Sequence, residues 1–146
     1  MILAIASDHA GFELKEAIKA AFPQHEFLDF GAPSTASVDY PDTGSAAAKA
    51  VASGKAELGI LVCGSGIGMS IVANKIPGIR AALCCCTDVA RLSRLHNDAN
   101  VLCLAGRFTA VPYALEIVQA WLETSFEGGR HQKRIQKIKN IEGESL

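Results

Sequence analysis

No stretch of this chain approaches the roughly 20 uninterrupted apolar residues that a membrane span requires. The opening run Met1 to Ala6 has no basic segment before it and reaches Asp8 and His9 too early for a secretion signal. The chain is therefore expected to be soluble and cytoplasmic, with no membrane partner. Excess charge of either sign is also lacking: only 20% of residues are charged and the formal net charge is −1. That argues against a nucleic-acid-coating surface, which needs lysine and arginine spread over a whole face. The five cysteines include no C-x-x-C pair to clip a metal or form a redox bridge, and their odd number suits a reducing compartment. No internal repeat, linker or low-complexity segment interrupts the chain.

What is there is apolar. With 49% hydrophobic residues in 146, the chain can bury a sizeable core as one domain spanning 1–146. Short runs rich in Ile, Leu, Val and Ala recur at Ile2–Ala6, Glu26–Phe30, Leu58–Cys63, Arg80–Cys85 and Val101–Leu104, and each reads as a strand. Between them lie stretches with helical spacing: Leu14, Ile18, Ala21 and Phe22; Ala46 to Val51; Ile67 to Ala73; and Val89, Leu92 and Leu95. Thr87 with Asp88 and Thr109 with Pro112 mark helix starts after the fourth and fifth strands. Nearly continuous apolar strands imply a sheet covered on both faces. The fold class is α/β, a Rossmann-like three-layer sandwich around a five-stranded parallel sheet.

Beyond Gly128-Gly129 the pattern thins to a stripe of Ile135, Ile138 and Ile141 in an otherwise polar helix. So narrow a stripe gives little stability by itself. The helix is expected to extend onto a partner subunit, in a homodimer or an assembly of dimers.

In parallel α/β sheets ligands bind at the carboxyl ends of the strands. Three such ends carry unusual residues: Ser7-Asp8-His9-Ala10-Gly11, Cys63-Gly64-Ser65-Gly66-Ile67-Gly68, and Gly106-Arg107. The glycine-rich loop can aim successive backbone N–H groups at one point, and the helix starting near Gly68 adds a partial positive charge. The anion it cradles is either a phosphate or the oxygen of a sugar carbonyl whose neighbouring carbon is losing a proton. Cys63 stands at the mouth of this cradle, where converging amides favour a thiolate able to act as base or nucleophile. Cys84, Cys85 and Cys103 sit in apolar runs and read as small buried hydrophobes. Met69 occupies the place of the third glycine of a dinucleotide loop, and the loop follows the third strand rather than the first, which removes a nicotinamide cofactor.

Arg130 and Arg134 are four apart, a spacing that lets two guanidiniums on one helix face grip one phosphate, and Arg107 can join from another loop. Gly128-Gly129 reads as room for a ligand against the backbone. His9 and His96, in Asp8-His9 and His96-Asn97-Asp98, can pass a proton near neutral pH. His25 reads as a turn residue and His131 as part of an exposed helix face.

Taken in order, these motifs, together with Val38-Asp39-Tyr40-Pro41-Asp42, Ala73-Asn74-Lys75, Gly78-Ile79-Arg80, Leu92-Ser93-Arg94 and Glu127 to Arg134, resemble the type B ribose-5-phosphate isomerase family, whose relatives include galactose- and allose-6-phosphate isomerases. The resemblance implies interconversion of ribose 5-phosphate and ribulose 5-phosphate through an enediolate, with no metal or organic cofactor. It assigns Cys63 as the base between C1 and C2 and Ser65 as the hydroxyl that moves the proton between the oxygens. By the same likeness His96 assists ring opening with Asp8 nearby, Tyr40 and Asn97 hold sugar hydroxyls, and His9, Arg107, Arg130 and Arg134 bind the phosphate. The backbone of Gly64, Gly66, Ile67 and Gly68 would line the cradle. The family's site lies between subunits, with the group of His96, Asn97 and Arg107 coming from the partner chain. A branch of the family uses a glutamate a few residues after the loop; Cys63 and Met69 put this chain with the cysteine branch. A hexose 6-phosphate isomerase and a noncatalytic sugar-phosphate sensor are the alternative readings.

Overall fold

The computed structural model describes residues 1–144. In chain order its elements are β1 (Ile2–Ser7), α1 (Phe12–Ala21), β2 (Glu26–Asp29), α2 (Tyr40–Ala52), β3 (Leu58–Cys63), α3 (Ile67–Ala73), β4 (Ala81–Leu83), α4 (Thr87–Asn97), β5 (Val101–Ala105), α5 (Val111–Glu123) and α6 (Arg130–Glu144). The five strands are all parallel, in the order β2-β1-β3-β5-β4. This is the Rossmann-like α/β architecture that the alternation of apolar runs predicts.

Alternating side chains divide each central strand between two cores. Leu3, Ile5, Ile60, Val62, Leu102 and Leu104 face Leu14 and Ile18 of α1, Ala90 of α4, and Ile117, Val118 and Trp121 of α5. The opposite face is built from smaller residues: Ala4, Ala6, Leu61, Cys63, Val101 and Cys103 meet Ala47, Ala48 and Val51 of α2 and Met69 and Ala73 of α3. Small residues let α2 approach closely. A Cβ on Gly59 would stand 3.0 Å from Val51, and one on Gly44 would stand 2.5 Å from the Met69 sulfur.

Because the chain runs from β1 outward to β2 and then back across to β3, the topological switch falls between β1 and β3. The two strands stay paired to their ends, Ser7 opposite Val62, and the connections that leave them for opposite faces of the sheet frame a crevice above. The β1 side of that crevice is pinned from below. The Ser7 N–H donates to the Gly31 carbonyl at 2.6 Å and Ala32 returns a bond to Ser7 at 2.8 Å, while the buried Lys15 ammonium donates to the Ala32 carbonyl at 2.6 Å and to Asp29 at 2.9 Å.

The structure departs from the sequence reading at the sheet edge. The fourth strand shrinks from Arg80–Cys85 to Ala81–Leu83, and Cys85, in the turn that follows, is exposed rather than buried. In α4 the helical period is right but the buried face is not. Val89 and Leu92 are 40% and 46% exposed, and Ala90 and Ser93 point inward instead. Thr87 is the first helical residue rather than the cap, which is Cys86, and the start of α5 is set by Ala110 with Pro112 in its first turn.

Candidate active site

The glycine loop is shaped by contacts that only glycine permits. Gly66 has φ of +74°, and a Cβ there would stand 2.5 Å from Leu83 and 3.0 Å from the Leu104 backbone. Held in that conformation, the Gly66 N–H points at the Cys63 sulfur, 3.2 Å away. Cys63 is only 4% exposed, so its sulfur lies at the back of the loop with a donor aimed at the atom that would carry negative charge. Ser65 accepts the Ile67 N–H at 3.2 Å and is partly exposed at the front of the same turn.

The loop is also locked to its neighbours. The Gly106 N–H donates to the Cys63 carbonyl at 2.8 Å, and the Arg107 N–H to the Gly64 carbonyl at 3.0 Å. The Arg107 guanidinium crosses over Gly64, where a Cβ would meet it at 3.2 Å. From the other side, the Tyr40 ring at the start of α2 packs on Gly68, 2.7 Å from where a Cβ would be. Across the switch-point crevice, Asp8 is buried and its Oδ1 accepts the N–H groups of Ala10 and Gly11 at 2.9 and 3.0 Å. His9 Nδ1 accepts the Val38 N–H at 3.4 Å, which leaves the proton of the neutral ring on Nε2. Asp8, His9, Tyr40, Cys63, Gly64, Ser65, Gly66, Ile67, Gly68 and Arg107 are thus one cluster at the carboxyl end of the sheet.

The remaining cysteines have no part in it. Burial, the main cause, pushes the Cys84 thiol up to about 11 against the opposing hydrogen bond from Ser93, and burial pushes Cys103 higher still.

His96, Asn97, Arg130 and Arg134 are elsewhere. Helix α4 starts at the carboxyl end of β4 and runs back toward its start, where Arg80 donates to the carbonyls of Asn97 and Asp98 at 2.9 and 2.8 Å. Its 11 residues descend about 16 Å, so His96 and Asn97 sit near the amino end of the sheet. Chain connectivity alone separates them from Arg107, since the whole of β5 lies between. Within one chain Arg107 accompanies the thiol and not the His96-Asn97 pair.

At this second pole the loop before α6 is tied to α4. Arg94 donates to the Thr124 carbonyl at 3.2 Å and Glu127 to the Leu95 carbonyl at 3.1 Å. Gly128 and Gly129 then turn the chain with φ of +73° and +57°, and nothing stands within 4 Å of a Cβ on either. Their positive φ sets the turn, and the open space around them leaves the approach to the backbone free, as the sequence suggested. The turn brings His131 beneath His96, with ring centroids 4.3 Å apart and planes 15° from parallel. His131 is buried, against the expectation of an exposed helix face. Glu127 lies 3.5 Å from His131 Nε2 and 3.9 Å from His96 Nε2. The i, i+4 spacing of Glu127 and His131 was the available signal for this group. Arg130 and Arg134 are exposed beside it.

Among the described residues no helix is long and apolar enough to cross a membrane.

Comparison with known proteins places these features in a family. The model of the Ribose/Galactose Isomerase family matches residues 3–138. Ribose-5-phosphate isomerase B of Escherichia coli is 46% identical, with 96% of this chain and 95% of that protein covered. The solved structure of ribose-5-phosphate isomerase B from Clostridium thermocellum superposes with a TM-score of 0.98 at 48% identity, covering all of both chains. That of the Mycoplasma genitalium ribose-5-phosphate isomerase B with bound ribulose-5-phosphate superposes with a TM-score of 0.94 at 42% identity, covering 99% of this chain and 97% of that one. A model match over nearly the whole chain and relatives this similar over their full length have one reading: the chain belongs to the ribose/galactose isomerase family.

Proposed function

We propose that this protein interconverts ribose 5-phosphate and ribulose 5-phosphate as a single-domain cytoplasmic enzyme, with Cys63 as the base. The observation that carries the reading is the buried sulfur at the end of β3 with the Gly66 N–H on it at 3.2 Å, in a chain 42% identical to a structure solved with ribulose-5-phosphate bound. In the forward reaction the Cys63 thiolate takes the hydrogen from C2 of the open-chain aldose. The electrons move to form an enediolate, and the resulting thiol returns the proton to C1. Ser65, at the front of the same turn, transfers the proton between O1 and O2. The loop's backbone N–H groups not engaged by the Cys63 sulfur or Ser65 would face the oxygen that gains charge.

The remaining roles follow the family likeness. Tyr40 and Asn97 hold sugar hydroxyls, His96 with Asp8 assists opening of the furanose, and His9, Arg107, Arg130 and Arg134 bind the phosphate. One substrate cannot touch both poles of a single chain, so the reading requires a second copy that brings its His96 pole to the Cys63 pole of the first. Ile67 and Ile71 on α3, Leu83 on β4 and Leu92 on α4, all more than a third exposed, form an apolar surface suited to such a partner. A homodimer is the minimum assembly, and a tetramer built as a pair of such dimers keeps the same site.

The test is an isomerase assay with ribose 5-phosphate before and after iodoacetamide. Activity is expected to fall as one thiol is alkylated, peptide mapping should identify it as Cys63, and saturating substrate should slow the loss. Full activity with Cys63 carboxamidomethylated would refute the assignment. Because the matched family also takes its name from galactose isomerases, kcat/KM on allose and galactose 6-phosphates is measured alongside.

A further inference from the structure

Three groups at the second pole invite a metal, since the ligand atoms of His96, Glu127 and His131 all lie within 4.8 Å of one another. The ring geometry argues against it. An imidazole lone pair lies in its own ring plane, and two rings stacked 4.3 Å apart at 15° direct their lone pairs side by side rather than at a common point. A cation bound by both nitrogens would require one ring to swing out of the stack.

The same geometry suits a different task. The side chains grade from inside to outside: His131 is 6% exposed, His96 37% and Glu127 58%. A buried flat ring thus backs a half-exposed one. His131 Nε2 makes no hydrogen bond among the described residues and has only the Glu127 carboxylate nearby, at 3.5 Å. Glu127 in turn faces both rings, and its own backbone is anchored to α4 one residue before His96 through the Leu95 carbonyl.

We propose that Glu127 and His131 are positioning residues for His96, fixing its ring plane and making it the imidazole of the pair that exchanges protons with the sugar. This rests on the reading of His96 as the group that assists ring opening. His131 acts through the stack, as a neutral plate that denies His96 other rotamers. Burial is the main cause holding the His131 imidazole below its usual value; His96, Arg130 and Arg134 act in the same direction and Glu127 opposes them. The other cation nearby on α4, Arg94, is engaged by Asp98 at 3.0 Å. The half-exposed His96 ring, not the buried His131, is the one a ligand can reach.

The test compares two reactions of the full protein. Turnover of ribose 5-phosphate needs the ring opened. Exchange of the C1 hydrogen of ribulose 5-phosphate into D2O, followed by proton NMR, uses the same binding groups and the Cys63 base but needs no ring opening, because that ketose carries its phosphate on the oxygen that would close a ring. His96→Ala should abolish most turnover and retain exchange. Glu127→Gln and His131→Phe should each lower kcat for ribose 5-phosphate roughly tenfold, a part of the 10²–10⁴-fold of a placed acid, with KM and the exchange rate within about twofold. Glu127→Gln should also move the His131 imidazole titration further down, and His96→Ala should move it up. If His96→Ala is impaired while the other two variants turn over normally, the positioning role is wrong. If exchange falls as much as turnover in Glu127→Gln, the residue is merely structural and the role is also wrong. Normal turnover in His96→Ala would instead remove the underlying reading of His96.

Discussion

At the carboxyl end of the sheet, chemistry is positioned by the backbone. Gly66 has no room for a side chain, its N–H meets the Cys63 sulfur, and two further backbone bonds from Gly106 and Arg107 hold the loop to β5. At the amino end, the groups are positioned by one another. His96 rests on His131, Glu127 faces both, and the glycines before α6 have open space around them. The first arrangement is rigid and intolerant of substitution. The second is a set of side chains that can be retuned one at a time.

Three substitutions test that contrast. Cys63→Ala removes the proposed base and leaves the loop's other bonds in place, so kcat should fall about 10³-fold, near the middle of the range for a positioned base, while the thermal midpoint changes little. A coupled assay with a parallel melting curve checks both. Gly66→Ala imposes a left-handed conformation on a Cβ that also collides with Leu83 and the Leu104 backbone. It should cost about 3 kcal/mol of stability, read from the denaturant midpoint, and activity should fall with it. An equally stable variant would show the loop to be softer than the comparison claims. Arg130→Ala, at the exposed second pole, should raise KM for ribose 5-phosphate about tenfold, the loss of one charge-assisted contact, with stability and the C1 exchange rate at saturating ribulose 5-phosphate unchanged.

Sequence patterning made the strands of the fold legible because parallel strands buried on both sides are nearly all apolar, and β1, β3 and β5 are. The Cys63 loop was legible for a related reason: glycines at alternate positions after such a strand have few other uses. Legibility failed where apolar residues stay exposed in the single chain. Val89 and Leu92 look like a buried stripe but are exposed on α4, since helical period reveals an apolar face without saying which molecule covers it. Cys85 failed because β4 is an edge strand that ends two residues earlier than its apolar run. His131 was missed because its burial depends on a left-handed turn at Gly128 and Gly129, which aims α6 back at α4. The distance between the two poles followed from strand direction, yet the individual motifs carry no sign of it.

The alanine-rich contact between α2 and the sheet has a bearing on which sugars fit. Ala47 and Ala48 set how close α2 lies, and Tyr40 rides at the tip of that helix with its ring on Gly68. A single added methyl group far from any sugar would act as a shim, lifting the tyrosine and deepening the mouth of the crevice. If Tyr40 holds the sugar as proposed, helix spacing alone can change the substrate length that fits.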